Sequence, residues 1–246
     1  MRTRGLLLIA LALCTVVTTA AQAPKKVLYL TYSAGYRHDV IPLSMQILPE
    51  IGKKNGFDVA ATKDLAFLSP EALKAYDGVV FYTTGELPIS DADKANLLAW
   101  VKSGKAFIGI HCATDTFYKW PEYGEMIGGY FDGHPWHQEV KVKVEDANTQ
   151  ATRALPNPWV LTDEIYQFRN WDRSKLHVLL SLDTSTVDLK KNGVKRTDGD
   201  FANAWTKSYG NGRVFYSALG HRAELWQSPE YQQFLAGGIR WALGLE

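Results

Sequence analysis

Between residues 27 and 110 the chain alternates short apolar runs with amphipathic stretches, and this rhythm constrains its fold more than any other feature. Val27-Leu28-Tyr29-Leu30-Thr31-Tyr32 reads as a buried strand, and 41–55 as a helix closed by Gly56. Phe57 to Ala61 reads as a second strand, and Ser69-Pro70-Glu71 opens a short helix with serine at its cap and proline at its first position. Gly78 to Tyr82 gives a third strand. Ser90 caps a helix reaching about Ser103, with Asp91 and Asp93 at its positive end, and Lys105 to Ile110 gives a fourth strand. Such alternation predicts a parallel sheet joined by crossover helices.

After His111 the rhythm changes. Gln138 to Val144 alternates polar and apolar residues, the mark of a half-exposed antiparallel strand. Trp159 to Phe168 and Leu176 to Leu182 read as further strands, and 184–200 as a long polar loop. Gly210-Asn211-Gly212 separates two strands as a hairpin, and Ser228-Pro229-Glu230 caps a final helix. The expectation is one α/β domain: a flavodoxin-like, three-layer fold with a mostly parallel central sheet and an inserted antiparallel part.

Residues 1–21 read as a secretory signal peptide, with Arg2 and Arg4 ahead of an apolar run from Gly5 to Val17 that is too short to span a bilayer. Cleavage is expected after Ala20 or Ala21, because Pro24 disfavours a cut after Ala23. Cys14 follows Leu13, where a lipoprotein signal wants a small residue. The expected product is a soluble periplasmic or secreted protein with its domain over 25–246. It would keep one cysteine, Cys112, and no internal disulfide. With 27 basic against 26 acidic residues, no net field favours nucleic acid or a membrane surface. A small saccharide is the expected partner, and self-association into a homo-oligomer stays open.

Ligands of parallel sheets sit beyond the carboxyl ends of the strands. The segments there are Ser33 to His38, Thr83-Thr84-Gly85-Glu86, His111 to Asp115 and Gly220-His221-Arg222-Ala223-Glu224. Three strand ends thus deliver a histidine, from a chain holding only six, and a fourth delivers a glutamate. His134 and His137 follow in a glycine-rich turn. Of Asp163-Glu164-Ile165-Tyr166, strand geometry puts Glu164 and Tyr166 on one face and Asp163 on the other, so Glu164 is the acid expected to reach the site. His177 reads as structural. Cys112 reads as a small buried neighbour of the site rather than a nucleophile.

These motifs together resemble the trehalose-utilisation (ThuA-like) family: Gly35-Tyr36-Arg37-His38, Gly109 through Asp115, Gly128 through Pro135, Asp163 through Tyr166, and Ala204-Trp205 through His221. The family is similar to the class I glutamine amidotransferase fold. That pattern wants cysteine after Gly-Ile, where this chain has His111, and wants a glycine two residues later, which is absent here. The resemblance therefore implies the fold and argues against glutamine hydrolysis.

The resemblance implies an exported carbohydrate enzyme acting on keto-sugars or 3-keto-glycosides by isomerisation, elimination or hydrolysis. The expected catalytic residues are His111, His134, His221, Glu164 and Tyr166. Arg37, His38, Glu86, Asp115 and Trp205 are the expected substrate contacts. Whether His38, His111 and His134, with Glu164, hold a divalent metal such as zinc stays open. The competing readings are a non-catalytic sugar-binding module stacking rings on Trp120, Trp136, Trp171 and Trp205, and a cysteine hydrolase built on Cys112.

Overall fold

A computed structural model describes residues 23–245, so the signal-peptide reading lies outside the described residues. The strands are β1 (Lys25–Leu30), β2 (Phe57–Thr62), β3 (Gly78–Phe81), β4 (Ala106–Ile110), β5 (Tyr130–Phe131), β6 (Trp136–Val144), β7 (Trp159–Ile165), β8 (Phe168–Arg169), β9 (His177–Leu182), β10 (Ala202–Tyr209) and β11 (Gly212–Ser217). The helices are α1 (Ile41–Lys54), α2 (Pro70–Leu73), α3 (Asp91–Lys102), α4 (Pro121–Ile127), α5 (Ala223–Gln227) and α6 (Pro229–Leu243).

The main sheet runs β2-β1-β3-β4-β11-β10-β9-β6-β7. Its first five strands are mutually parallel, and every later pairing is antiparallel. The parallel half has the strand order of a flavodoxin-like sheet. Alternate residues of one strand serve opposite cores: Val27 and Tyr29 join the cluster containing α6 residues, whereas Leu28 and Leu30 join the one containing α3 residues. That division makes the three layers, and it explains why β3 and β4 are apolar and buried throughout.

Two helices escape the sequence reading. In α4, Gly124 breaks the helical pattern because a Cβ there would overlap the Tyr130 ring. Helix α5 has five residues, too few to show a period. The predicted strand from Trp159 to Phe168 is interrupted after Ile165. There Gln167, fully buried, receives the backbone N–H of Lys195 and donates to the carbonyl of Gly193 instead of extending the ladder.

The sheet is not flat. Strand β7 lies four places from β11 in the strand order, a distance of roughly 19 Å across a flat sheet. Yet the Asp163 carboxylate on β7 receives the backbone N–H of Gly220, just beyond β11, at 2.7 Å. The antiparallel flank therefore curls back over the carboxyl edge of the parallel strands, and α5 fills the space between β7 and α1.

Candidate functional site

The curl closes a histidine–carboxylate cluster. His38 stands on the loop after β1, His111 directly after β4 and His221 after β11, while Glu164 arrives from β7 on the other flank. The His38 ring centroid is 4.9 Å from that of His111 and 5.3 Å from that of His221. Glu164 Oε2 lies 3.1 Å from His221 Nδ1 and 3.6 Å from His111 Nε2. Its other oxygen, Oε1, lies 3.8 Å from His134 Nδ1 and 3.8 Å from His137 Nδ1. The Tyr166 hydroxyl meets His111 Nε2 at 2.9 Å, so Glu164 and Tyr166 do share a face.

His111 sits in a tight elbow. Its φ is +48°, a left-handed conformation that a histidine adopts only when its surroundings enforce it. Tyr216 donates to the His111 carbonyl at 2.7 Å. The ring is fixed as well, because Nδ1 lies 2.7 Å from the Ala218 carbonyl, which can only accept. Nδ1 therefore carries a proton, and Nε2 is the nitrogen turned toward Glu164 and Tyr166.

Asp163 braces the opposite wall. Fully buried, it accepts the backbone N–H groups of Gly220, His221 and Arg222 at 2.7, 3.1 and 3.1 Å. It shares the inward side of β7 with Trp159 and Leu161, so an acid at a core position was the available signal for this role.

The environment polarises the cluster. Burial pushes the His38 imidazole down to about 3, reinforced by the charges of His111 and His221, so it is neutral at ordinary pH. Burial alone would raise the Glu164 carboxyl, but His111 and His221 overcome it and hold the group well below the usual range. Burial opposes protonation of His221, yet Glu164 lifts it above the ordinary histidine value. Burial pushes Tyr166 up, so its hydroxyl keeps its proton and can donate.

The other predicted residues divide sharply. Asp115 is half-buried at the margin and accepts from the Tyr118 hydroxyl at 2.6 Å. Arg37 is exposed on the loop beside His38. Glu86 is exposed and receives the backbone N–H of Lys119 at 2.9 Å, which makes it a loop brace outside the cluster. Trp205 is a correction: fully buried, it donates to the Ile127 carbonyl at 2.8 Å and packs on Tyr216, so it offers no face to a sugar. Trp120 and Trp136 are also buried, and Trp171 is half-buried with Arg196 over its ring. The stacking platform that motivated a binding module is therefore core. Cys112 is 1% exposed and burial raises its thiol, which leaves no reactive nucleophile. His177 stands apart on the surface, paired with Asp146 at 3.0 Å. The suggested metal set also changes. Among the described residues the potential ligand atoms that converge belong to His38, His111, Glu164 and His221, with His134 outside the group.

A flavodoxin-like sheet with an elbow after its fourth strand and a histidine–carboxylate cluster at its carboxyl edge defines a class of proteins that share the glutamine amidotransferase-like fold. Within that class, the chain belongs to the ThuA family, described as trehalose utilisation, whose model matches residues 26–242. Its function is accordingly carbohydrate-related. A ThuA-like protein from Bacteroides uniformis ATCC 8492 has a solved structure with a TM-score of 0.75 and 24% identity, covering 93% of this chain and 95% of that one. Another from Parabacteroides merdae ATCC 43184 gives 0.70 and 23%, covering 90% and 91%. The fold also recurs in a β-galactosidase from Bacillus circulans sp. alkalophilus, with a TM-score of 0.55 and 11% identity, covering 90% of this chain but 31% of that one. No curated protein matches the chain.

Proposed function

We propose that the protein is an exported enzyme that acts on keto-sugars or 3-keto-glycosides by histidine-based proton transfer. The observation that carries this reading is one low-lying carboxylate, Glu164, ringed by four imidazoles from three separate segments of the chain. A ketone at C3 acidifies the C2–H bond. A base that takes the C2 proton leaves the electron pair on the enolate oxygen. Collapse of the enolate then breaks the C1–O bond, the leaving oxygen takes a proton, and water adds to the unsaturated sugar. Returning the proton elsewhere gives isomerisation instead.

The two sides of the cluster suit the two tasks. His134 and His137 are solvent-exposed and flank the same carboxylate oxygen, so they can reach a substrate and exchange protons with it. His111 and His38, by contrast, are 0% and 5% exposed. Their place is the floor, where the Tyr166 hydroxyl beside His111 is the donor that stabilises negative charge on the enolate oxygen.

The test is release of the aglycone from an aryl 3-keto-glucoside. The wild type is expected to turn it over, and His134→Ala to lose about 100-fold in kcat/KM with an unchanged melting temperature. A wild-type protein that neither cleaves nor isomerises any keto-glucoside would end this reading. Export is tested separately by expressing the full chain and weighing the product: a periplasmic or secreted chain beginning at Ala21 or Gln22 supports it, and an intact cytoplasmic chain refutes it.

A further inference from the structure

The buried end of this cluster brings four potential ligand atoms together. One potential ligand atom each from His38, His111, Glu164 and His221 lies within 4.8 Å of all the others. His38 is 95% buried by its 5% exposure, and its Nδ1 has no hydrogen-bond partner. His221 Nδ1 is also buried and lacks a hydrogen bond, although Glu164 Oε2 stands only 3.1 Å away, because the pair is misaligned for one. Buried polar atoms without partners are costly and rare. A cation placed between them would satisfy both atoms at once.

We propose that His38, His111, His221 and Glu164 form a binding site for one divalent transition-metal ion of the zinc class. Three imidazoles and a carboxylate are a donor set that suits zinc and its neighbours. Ligand atoms around tetrahedral zinc lie roughly 3.3 Å apart, given bonds of about 2.0 Å. The distances from Glu164 Oε2 to His221 and His111, 3.1 and 3.6 Å, already bracket that spacing. No ligand atom of the set lies more than 4.8 Å from another, so the largest closure needed is about 1.5 Å.

The surroundings meet the further demands of such a site. A ligating histidine normally donates its second nitrogen to a fixed acceptor, and His111 does so to the Ala218 carbonyl. The His221 backbone is pinned through Asp163. On the open side, a cavity of about 290 Å³ touches His137, His221 and Arg222 and gives a substrate oxygen a way in. A metal there would act as a Lewis acid on a carbonyl or enolate oxygen. Only that catalytic use rests on the keto-sugar reading; the binding site itself does not.

The experiment uses untagged protein, purified without added metal, stripped with a chelator and titrated with Zn²⁺ by calorimetry and with Co²⁺ by visible absorption. One equivalent per chain is expected, with Co²⁺ bands of a site containing nitrogen and oxygen donors. His38→Gln and His221→Gln should weaken binding by more than the roughly 10–100-fold typical of outer-shell changes, whereas His134→Ala should bind as the wild type does. Circular dichroism checks that each variant is folded, and the His38 and His221 changes serve as independent tests. Sub-stoichiometric binding, or stoichiometric binding that both variants retain, overturns the site. Metal bound without keto-glucoside turnover upholds the site and removes the keto-sugar reading. Turnover by a metal-free protein upholds the keto-sugar reading and removes only the catalytic use of the metal.

Discussion

Glu164→Gln is expected to lower kcat/KM on a 3-keto-glucoside by about 1000-fold, within the range that acid–base groups contribute. Glutamine keeps the shape of the side chain and removes its charge. That charge is what the surrounding imidazoles face: it lifts His221 above its ordinary value and lies between His134 and His137. The loss should fall mainly on kcat, because the floor of the site stabilises charge that develops only during the reaction. The substitution should leave the fold intact, since no backbone hydrogen bond runs to this carboxylate in the contacts described above. Steady-state kinetics with parallel thermal unfolding separates the two effects. A variant within tenfold of the wild type would show that Glu164 is a spectator.

The second large effect concerns stability. Asp163→Ala strands the buried backbone N–H of Gly220 and the partly buried N–H groups of His221 and Arg222. A buried donor left without a partner costs about 1–3 kcal/mol, and with water able to reach two of the three the expected total is roughly 3–5 kcal/mol. Burial itself raises the Asp163 carboxyl, so the cost comes from the abandoned donors more than from the lost charge. Asp163→Asn keeps an acceptor oxygen and should lose about half as much. Urea unfolding measures both. A change below about 1 kcal/mol for the alanine variant would mean that the turn holds its shape unaided.

Much of this was legible in the chain. The parallel half announced itself through apolar runs of strand length, because strands covered on both faces cannot alternate. The capping serine of α6, Ser228, does accept the N–H of Tyr231, and Ser90 accepts that of Asp93. The histidines were legible as strand-end residues, since a parallel sheet has one carboxyl edge and places its strand ends there. What stayed hidden depended on the curl. Nothing local to β7 says that it folds back across four strand positions, so the ligand group came out with His134 where the structure has His221. Trp205 misled for a related reason. An indole in a hairpin strand has the same local sequence whether its ring faces solvent or, as here, the Ile127 carbonyl.

The place of β11 has a temporal consequence. This strand comes last in the chain, yet it sits between β4 and β10 and is the strand that joins the two flanks. A polypeptide emerging from the ribosome has therefore made every other strand before the one that unites them. Until residues 212–217 slot in, two half-sheets with open edges coexist, and His221 has not yet been synthesised beside its carboxylate. The cluster is thus withheld from every nascent fragment and closes only in the completed molecule.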